Sequence, residues 1–225
     1  MGRKGSDGSE DEDRDVSAAR ERLVDALVEA GRIERPETIE ALRSVPRHEF
    51  LGESERGDAY ADRPLPIGAE QTVSAPHMVG IVSELLDVET GDSVLEIGTG
   101  CGYHAAVTAE IVGGENVYSV EYVASLAEAA RSRLDRLGYG SVSLRVGDGA
   151  EGWPEHAPYD AAYLTCAAPE IPSAVLDQLR IGGRLVAPIG TDSQTLVRAT
   201  RTDEGIDRET HGAVRFVEMQ GELGL

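Results

Sequence analysis

The chain has 225 residues and a formal net charge of -20, from 41 Asp+Glu against 21 Lys+Arg, with 40% hydrophobic but only 4% aromatic residues. A surface this acidic lacks the basic face that neutralises phosphates, so neither nucleic acid nor an anionic membrane is an expected partner. Disorder is excluded as well, because apolar segments with regular periods run from Val16 onward.

Residues 1–15 hold no core-forming side chain after Met1 and are expected to be a disordered acidic tail, with a single domain over 16–225. Leu23, Ala26, Leu27 and Ala30 recur at helical spacing and predict a first helix over Val16 to Ala30. A short second helix, Thr38 to Val45, follows Pro36. Residues 46–75 are rich in Pro, Gly and charge and show no sustained period. An irregular stretch of that length inside a domain is usually functional, and it reads as a substrate-side loop. Ser74 is expected to cap a helix that has Pro76 in its first turn and runs to Leu86.

The pattern then becomes regular. Strands are predicted at Ser93 to Ile97, Asn116 to Glu121, Ser141 to Val146, Tyr159 to Thr165 and Gly183 to Ile189. Helices fall between most of them, ending near Val112, Leu137 and Leu179. Alternation of this kind implies an α/β domain with a mostly parallel, doubly wound sheet. Two further strands, Gln194 to Thr200 and His211 to Val217, have no helix between them and predict an antiparallel C-terminal edge. Cys101 and Cys166 are too few for a disulfide framework or a site of paired zinc ligands, so no metal is expected. No apolar run reaches transmembrane length and no secretory pattern is seen, so a cytoplasmic protein is expected.

Gly98-Thr99-Gly100-Cys101-Gly102 lies between a strand and a helix, the context in which a glycine motif has meaning. Two ligand classes use such a turn. A dinucleotide wants a small residue where this chain has Tyr103. The second strand ends in Glu121, suited to accept hydrogen bonds from ribose hydroxyls, and the third ends in Gly147-Asp148-Gly149, where Asp148 could meet an adenine amino group or simply shape a turn.

Together these three strand ends resemble the S-adenosylmethionine site of class I methyltransferases, a Rossmann-like fold. The runs from Ala59 to Gly68, Gln71 to Met78, Leu95 to Gly100, Ala157 to Asp160 and Gly182 to Val186 resemble one family, protein-L-isoaspartate O-methyltransferase. The resemblance spans residues 40–221. It implies methyl transfer from S-adenosylmethionine to L-isoaspartyl carboxylates of damaged proteins. It also implies cofactor contacts at Glu96, Gly98, Thr99, Gly100, Glu121, Asp148, Gly149 and Thr165. The family usually has glycine where this chain has Glu70, which puts the geometry of that loop in question.

Methylating a carboxylate requires little acid–base help, since the acceptor ionises with a pKa of about 4. The site should therefore orient rather than deprotonate. Ser74, the family's active-site serine by resemblance, can donate to one carboxylate oxygen while the other attacks. Thr72, His77, Ala167 and Arg215 are candidate substrate contacts, and Asp62 a candidate for orienting the loop. The turn at Ser74 is not the Gly-x-Ser-x-Gly elbow of hydrolases. A methyltransferase with a small-molecule or RNA substrate, or a non-catalytic module of the same fold, stays open on the residues alone. A monomer is expected, and the acidic surface suggests adaptation to molar salt, where the Debye length shrinks to about 3 Å.

Overall fold

The computed structural model describes residues 7–222, with side chains from residue 14 onward. Its centre is a seven-stranded sheet. From one edge to the other the strands are β5 (Ser143–Val146), β4 (Val117–Glu121), β3 (Val94–Ile97), β6 (Tyr159–Leu164), β7 (Leu179–Ile189), β8 (Gln194–Thr202) and β9 (Gly205–Val214). The first five are parallel, and β7, β8 and β9 pair antiparallel, as the strand-only C-terminal stretch predicts. The chain builds outward from β3 through β4 to β5, then returns to add β6 on the other side of β3. The crevice beyond the carboxyl ends of β3 and β6 is therefore the topological switch point, where ligands of open α/β sheets bind.

Side chains alternate across the sheet, so each strand feeds two cores. Val94, Ala161, Tyr163 and Val186 face one core with α1 (Asp7–Glu29), α2 (Pro36–Ser44), α3 (Pro76–Leu86) and α4 (Tyr103–Val112). Leu95, Ile97, Ala162, Leu164 and Leu185 face the other, closed by Val175 and Leu176 of α6 (Ser173–Asp177). The remaining helix, α5 (Ala124–Arg136), follows β4.

Three expectations are corrected. Helix α1 starts at Asp7, inside the stretch read as a disordered tail; residues 1–6 of that tail lie outside the described residues. Acidic residues suit the N-terminal end of a helix through its dipole, and a run without apolar residues gives no period to read. Strand β9 lies at Gly205–Val214, beginning and ending earlier than the predicted His211 to Val217. It is an edge strand exposed on both faces, so burial leaves no alternation in its sequence. Residues 46–75 hold a hairpin, β1 (Leu65–Gly68) with β2 (Gln71–Val73), that the composition did not reveal.

That hairpin explains Glu70. Its two-residue turn has Ala69 at φ 50° and Glu70 at φ 59°, the left-handed angles a tight hairpin of this type requires. Neither residue is glycine, and the left-handed region costs an ordinary residue roughly 1–2 kcal/mol. The loop thus keeps its geometry with an acid in place, under strain. Glu70→Gly is expected to stabilise the fold by about 0.5–1 kcal/mol in chemical denaturation, after the glycine's own chain-entropy cost. A destabilised variant would mean the Glu70 side chain makes a compensating interaction.

Candidate active site

The turn after β3 presents its backbone to the crevice. Gly98 sits at φ 95°, and a Cβ on it would overlap the Thr165 hydroxyl. That hydroxyl, at the end of β6, donates to the Gly98 carbonyl at 2.6 Å and so fixes the turn against the neighbouring strand. Glu121, at the end of β4, accepts from Gly100 N–H at 2.8 Å through Oε2 and from Val123 N–H at 2.9 Å through Oε1. Each oxygen keeps a lone pair for a further donor. Gly98, Glu121 and Gly149 line one cavity of about 50 Å³ with Ile97, Val120 and Met219. A Cβ on Gly149 would overlap Ile97, so the absence of a side chain there keeps that wall flat.

The roof of this cavity comes from the C-terminal segment. After β9 the chain crosses the strand ends: Gln194 brackets Phe216 with two hydrogen bonds, and Ala167 pairs through its backbone with Val217 and Met219. Asp148 accepts from Glu222 N–H at 2.7 Å and from Ala150 N–H at 2.9 Å. The roof bears on two of the expected contacts. Asp148 caps a one-turn helix, Gly149–Glu151, and ties down the roof, and each of its oxygens keeps a lone pair for a further donor. Ala167 is buried with its backbone committed to that roof, so it is not a free rim for substrate.

Glu96 is also displaced from its expected role. On β3 it shares the face of Val94, pointing below the crevice, and is fully buried. Tyr163 OH donates to Oε1 at 2.8 Å and Ser119 Oγ to Oε2. Thr99 reaches Ser119, and Thr108 reaches Tyr163 at 3.0 Å, so Glu96 and Thr99 belong to a buried polar network beneath the glycine turn, with Thr99 also lining a small pocket of about 20 Å³ beside Gly98 and Gly100. Burial pushes the Glu96 carboxyl up to about 7, against the pull of Ser119 and Tyr163. His104, tilted against Tyr163 with ring centroids 4.3 Å apart, is pushed down to about 3 by burial and stays neutral.

The raised carboxyl makes a pH prediction. Between 4.5 and about 7 the folded state keeps a proton that the unfolded chain has released. Stability therefore falls as pH rises through that window, by about 3 kcal/mol for a shift of this size. Glu96→Gln should flatten this part of the stability–pH curve in urea titrations. An unchanged slope in the variant would assign it to other groups.

A larger cleft of about 490 Å³ opens on the other side of the glycine turn. Ser74, Thr72, His77, Thr165 and Arg215 all line it, so the structure unites these predicted residues. Thr72 is exposed on β2 while its neighbour Val73 faces the core. Ser74 is not the cap of α3. That position is Ala75, with no side-chain cap bond. Asp62 instead accepts from His77 N–H at 2.9 Å and from His77 Nδ1 at 2.8 Å, capping the helix from the loop. The Ser74 hydroxyl has no partner among the described residues and is free for a ligand.

The loop that carries these groups is held by a residue the sequence did not single out. Arg47 is 0% exposed and donates to the carbonyls of Ala59, Arg63 (3.2 Å) and Ser74 (3.1 Å). Its guanidinium lies over the Tyr103 ring, 5.7 Å from the centroid, and desolvation lowers its pKa. A single arginine after Pro46 carries no periodic signal, so only the fold reveals it. Both cysteine thiols are raised by burial, Cys166 to about 12, which leaves neither as a nucleophile. Among the described residues no group of three or more His, Cys, Asp or Glu could hold a metal ion, and no helix is long and apolar enough to cross a membrane.

Comparison with known proteins points one way. The family model described as protein-L-isoaspartate(D-aspartate) O-methyltransferase matches residues 18–224. The chain is 50% identical over 213 residues to protein-L-isoaspartate O-methyltransferase 2 of Archaeoglobus fulgidus, covering 94% of this chain and 97% of that one. It is 47% identical over 219 residues to the protein-L-isoaspartate O-methyltransferase of Methanopyrus kandleri, covering 96% and 97%. A solved protein-L-isoaspartate O-methyltransferase superposes with TM-score 0.84 at 33% identity, over 91% of this chain and 67% of that one. A Plasmodium falciparum structure, titled a putative enzyme of the same kind in complex with S-adenosyl-L-homocysteine, superposes with TM-score 0.79 at 24% identity, over 89% and 98%.

Proposed function

The chain belongs to the protein-L-isoaspartate(D-aspartate) O-methyltransferase family, and from that premise we propose how its own residues move a methyl group from S-adenosylmethionine to the free carboxylate of L-isoaspartyl residues in damaged proteins. The cofactor supplies an electrophilic methyl group on a sulfonium. The donor set fits it: the Glu121 carboxylate suits a ribose diol, and Ile97, Val120, Met219 and the bare Gly149 offer apolar walls for a base. Gly98 and Gly100 bring backbone close on the side toward the cleft, with Thr165 behind them. The space under Glu218–Gln220 is about 50 Å³ and borders a groove of about 580 Å³ lined by the same segment.

The observation that carries the acceptor side is the unpaired Ser74 hydroxyl, in a cleft that shares Thr165 and Gly98's surroundings with the cofactor side. Ser74 donates to one oxygen of the isoaspartyl carboxylate and turns the other toward the methyl group. Thr72, beside it, adds a second hydroxyl. No base is required, because the acceptor is ionised well below neutral pH. His77, bound to Asp62, serves to hold the loop wall in register. Exclusion of water by the 59–78 segment and the C-terminal roof completes the environment.

The -20 charge supports a further reading, that this is a cytoplasmic monomer adapted to molar salt. One assay tests both. Methyl incorporation should occur on a peptide containing L-isoaspartate and not on its L-aspartate twin, and should rise from dilute buffer toward molar KCl. Equal labelling of the twins would overturn the acceptor assignment. Maximal activity in dilute buffer would overturn the salt reading alone.

A further inference from the structure

The substrate cleft differs in charge from the rest of the molecule. In a chain with 41 acids, none of the described residues lining this cleft is Asp or Glu, while Arg32, His77, His211 and Arg215 all line it. Arg32, between α1 and α2, and Arg215, just past β9, are exposed and have no side-chain partner among the described residues. Many arginines elsewhere are matched to acids, among them Arg35 to Asp87, Arg43 to Asp25, Arg136 to Glu49 and Arg198 to Glu209. The two histidines are different, since His77 is held by Asp62 and His211 lies 3.8 Å from Glu209. The unmatched positive charge at the cleft is therefore that of the two arginines. Arg215 also stands at the border of an adjoining groove of about 580 Å³, where Glu70 and Glu218 face the same space. Arg215 thus stands where the two spaces meet, with Arg32 on the cleft side only and Glu70 and Glu218 on the groove side only.

Resting on the methyltransferase reading above, we propose that Arg32 and Arg215 make this enzyme select isoaspartyl sites with acidic residues on one flank. A peptide that seats its isoaspartyl carboxylate at Ser74 extends along the cleft past the arginines. Acidic side chains on that flank meet unpaired guanidinium groups, and on the opposite flank they meet Glu70 and Glu218. Self-repulsion from the rest of the surface acts over longer distances and is screened first as salt rises. Close pairs inside the cleft are weakened later, each changing affinity by only a few-fold because both partners stay partly hydrated. The preference thus belongs in KM and not in turnover, since the arginines touch flanking side chains and not the reacting oxygen.

The test uses isoaspartyl peptides of one length carrying paired Glu or paired Lys on the N-terminal or the C-terminal side, with a neutral control. On one side the Glu peptide should have a KM about three- to tenfold below the Lys peptide, with equal kcat, the range expected for two exposed pairs. Arg32→Gln and Arg215→Gln should each shrink that difference, and it should narrow between 0.1 M and 1 M KCl. Equal KM for all peptides, a lower KM for Lys on both sides, or a preference that survives both substitutions would overturn the proposal while leaving the methyltransferase reading intact. Failure to methylate any isoaspartyl peptide would overturn both.

Discussion

Ser74→Ala is expected to lower kcat by about 10²-fold while leaving cofactor affinity and fold stability unchanged. The kinetic part follows from the role of the hydroxyl. Removing one preorganised donor from a reacting oxygen typically costs 10²–10³, roughly 3–4 kcal/mol. The lower end applies here, because the donor already binds the carboxylate in the ground state and its gain is mainly orientation. The thermodynamic part follows from what the hydroxyl does not do. A serine N-cap replaced by alanine would lose about 1 kcal/mol, but the cap position of α3 is Ala75, and Asp62 satisfies the His77 N–H. Ser74 contributes its carbonyl to Arg47, and alanine keeps that carbonyl. Steady-state kinetics, cofactor titration and urea denaturation read the three quantities separately. A loss of stability near 1 kcal/mol would reinstate the cap, and a kcat within twofold of wild type would remove Ser74 from the reaction.

What could be read in advance divides by distance along the chain. The glycine turn and Glu121 were legible because strand, turn and helix are contiguous, and the acid lies at a strand end that the same pattern locates. Ser74 was legible through the resemblance and Thr72, His77 and Arg215 as candidates beside it, and the structure unites them in one cleft. Much of what local sequence leaves hidden depends on partners far away in the chain. Ser74 reads as a cap because nothing local says that Asp62 supplies one across 15 positions. Asp148 and Ala167 read as open strand-end residues because the segment near 217–222 returns to occupy their polar groups. Glu96 lies two residues before the first glycine, and its side chain goes to a buried network with Tyr163 and Ser119, both distant in sequence. The tail and the outermost strand lack any apolar alternation, so neither boundary was visible.

Arg47→Met is expected to destabilise the protein by about 2–4 kcal/mol, the largest stability change among these substitutions. Two effects oppose each other. Methionine removes the cost of burying a charge, which is real, since desolvation lowers the Arg47 pKa. Where a buried charge faces another side chain, replacing both with apolar groups is often neutral or stabilising. That escape is closed here, because the partners are the main-chain carbonyls of Ala59, Arg63 and Ser74. They remain whatever residue occupies position 47, and each carbonyl left without a donor costs about 1–3 kcal/mol, less where water can reach it. Two of the three are only partly buried, so the lower half of the summed cost applies, and it still exceeds the relief. The same three carbonyls span the segment that carries Asp62, Thr72 and Ser74, so the loss should also appear as faster amide exchange over 59–74 and as a fall in kcat larger than any change in cofactor affinity. Arg47→Lys, with one ammonium in place of a fork, should recover only part of the stability. If Arg47→Met were as stable as wild type, the loop would be held by the hairpin and the Asp62–His77 bond instead, and Arg47 would be a buried charge with no structural return.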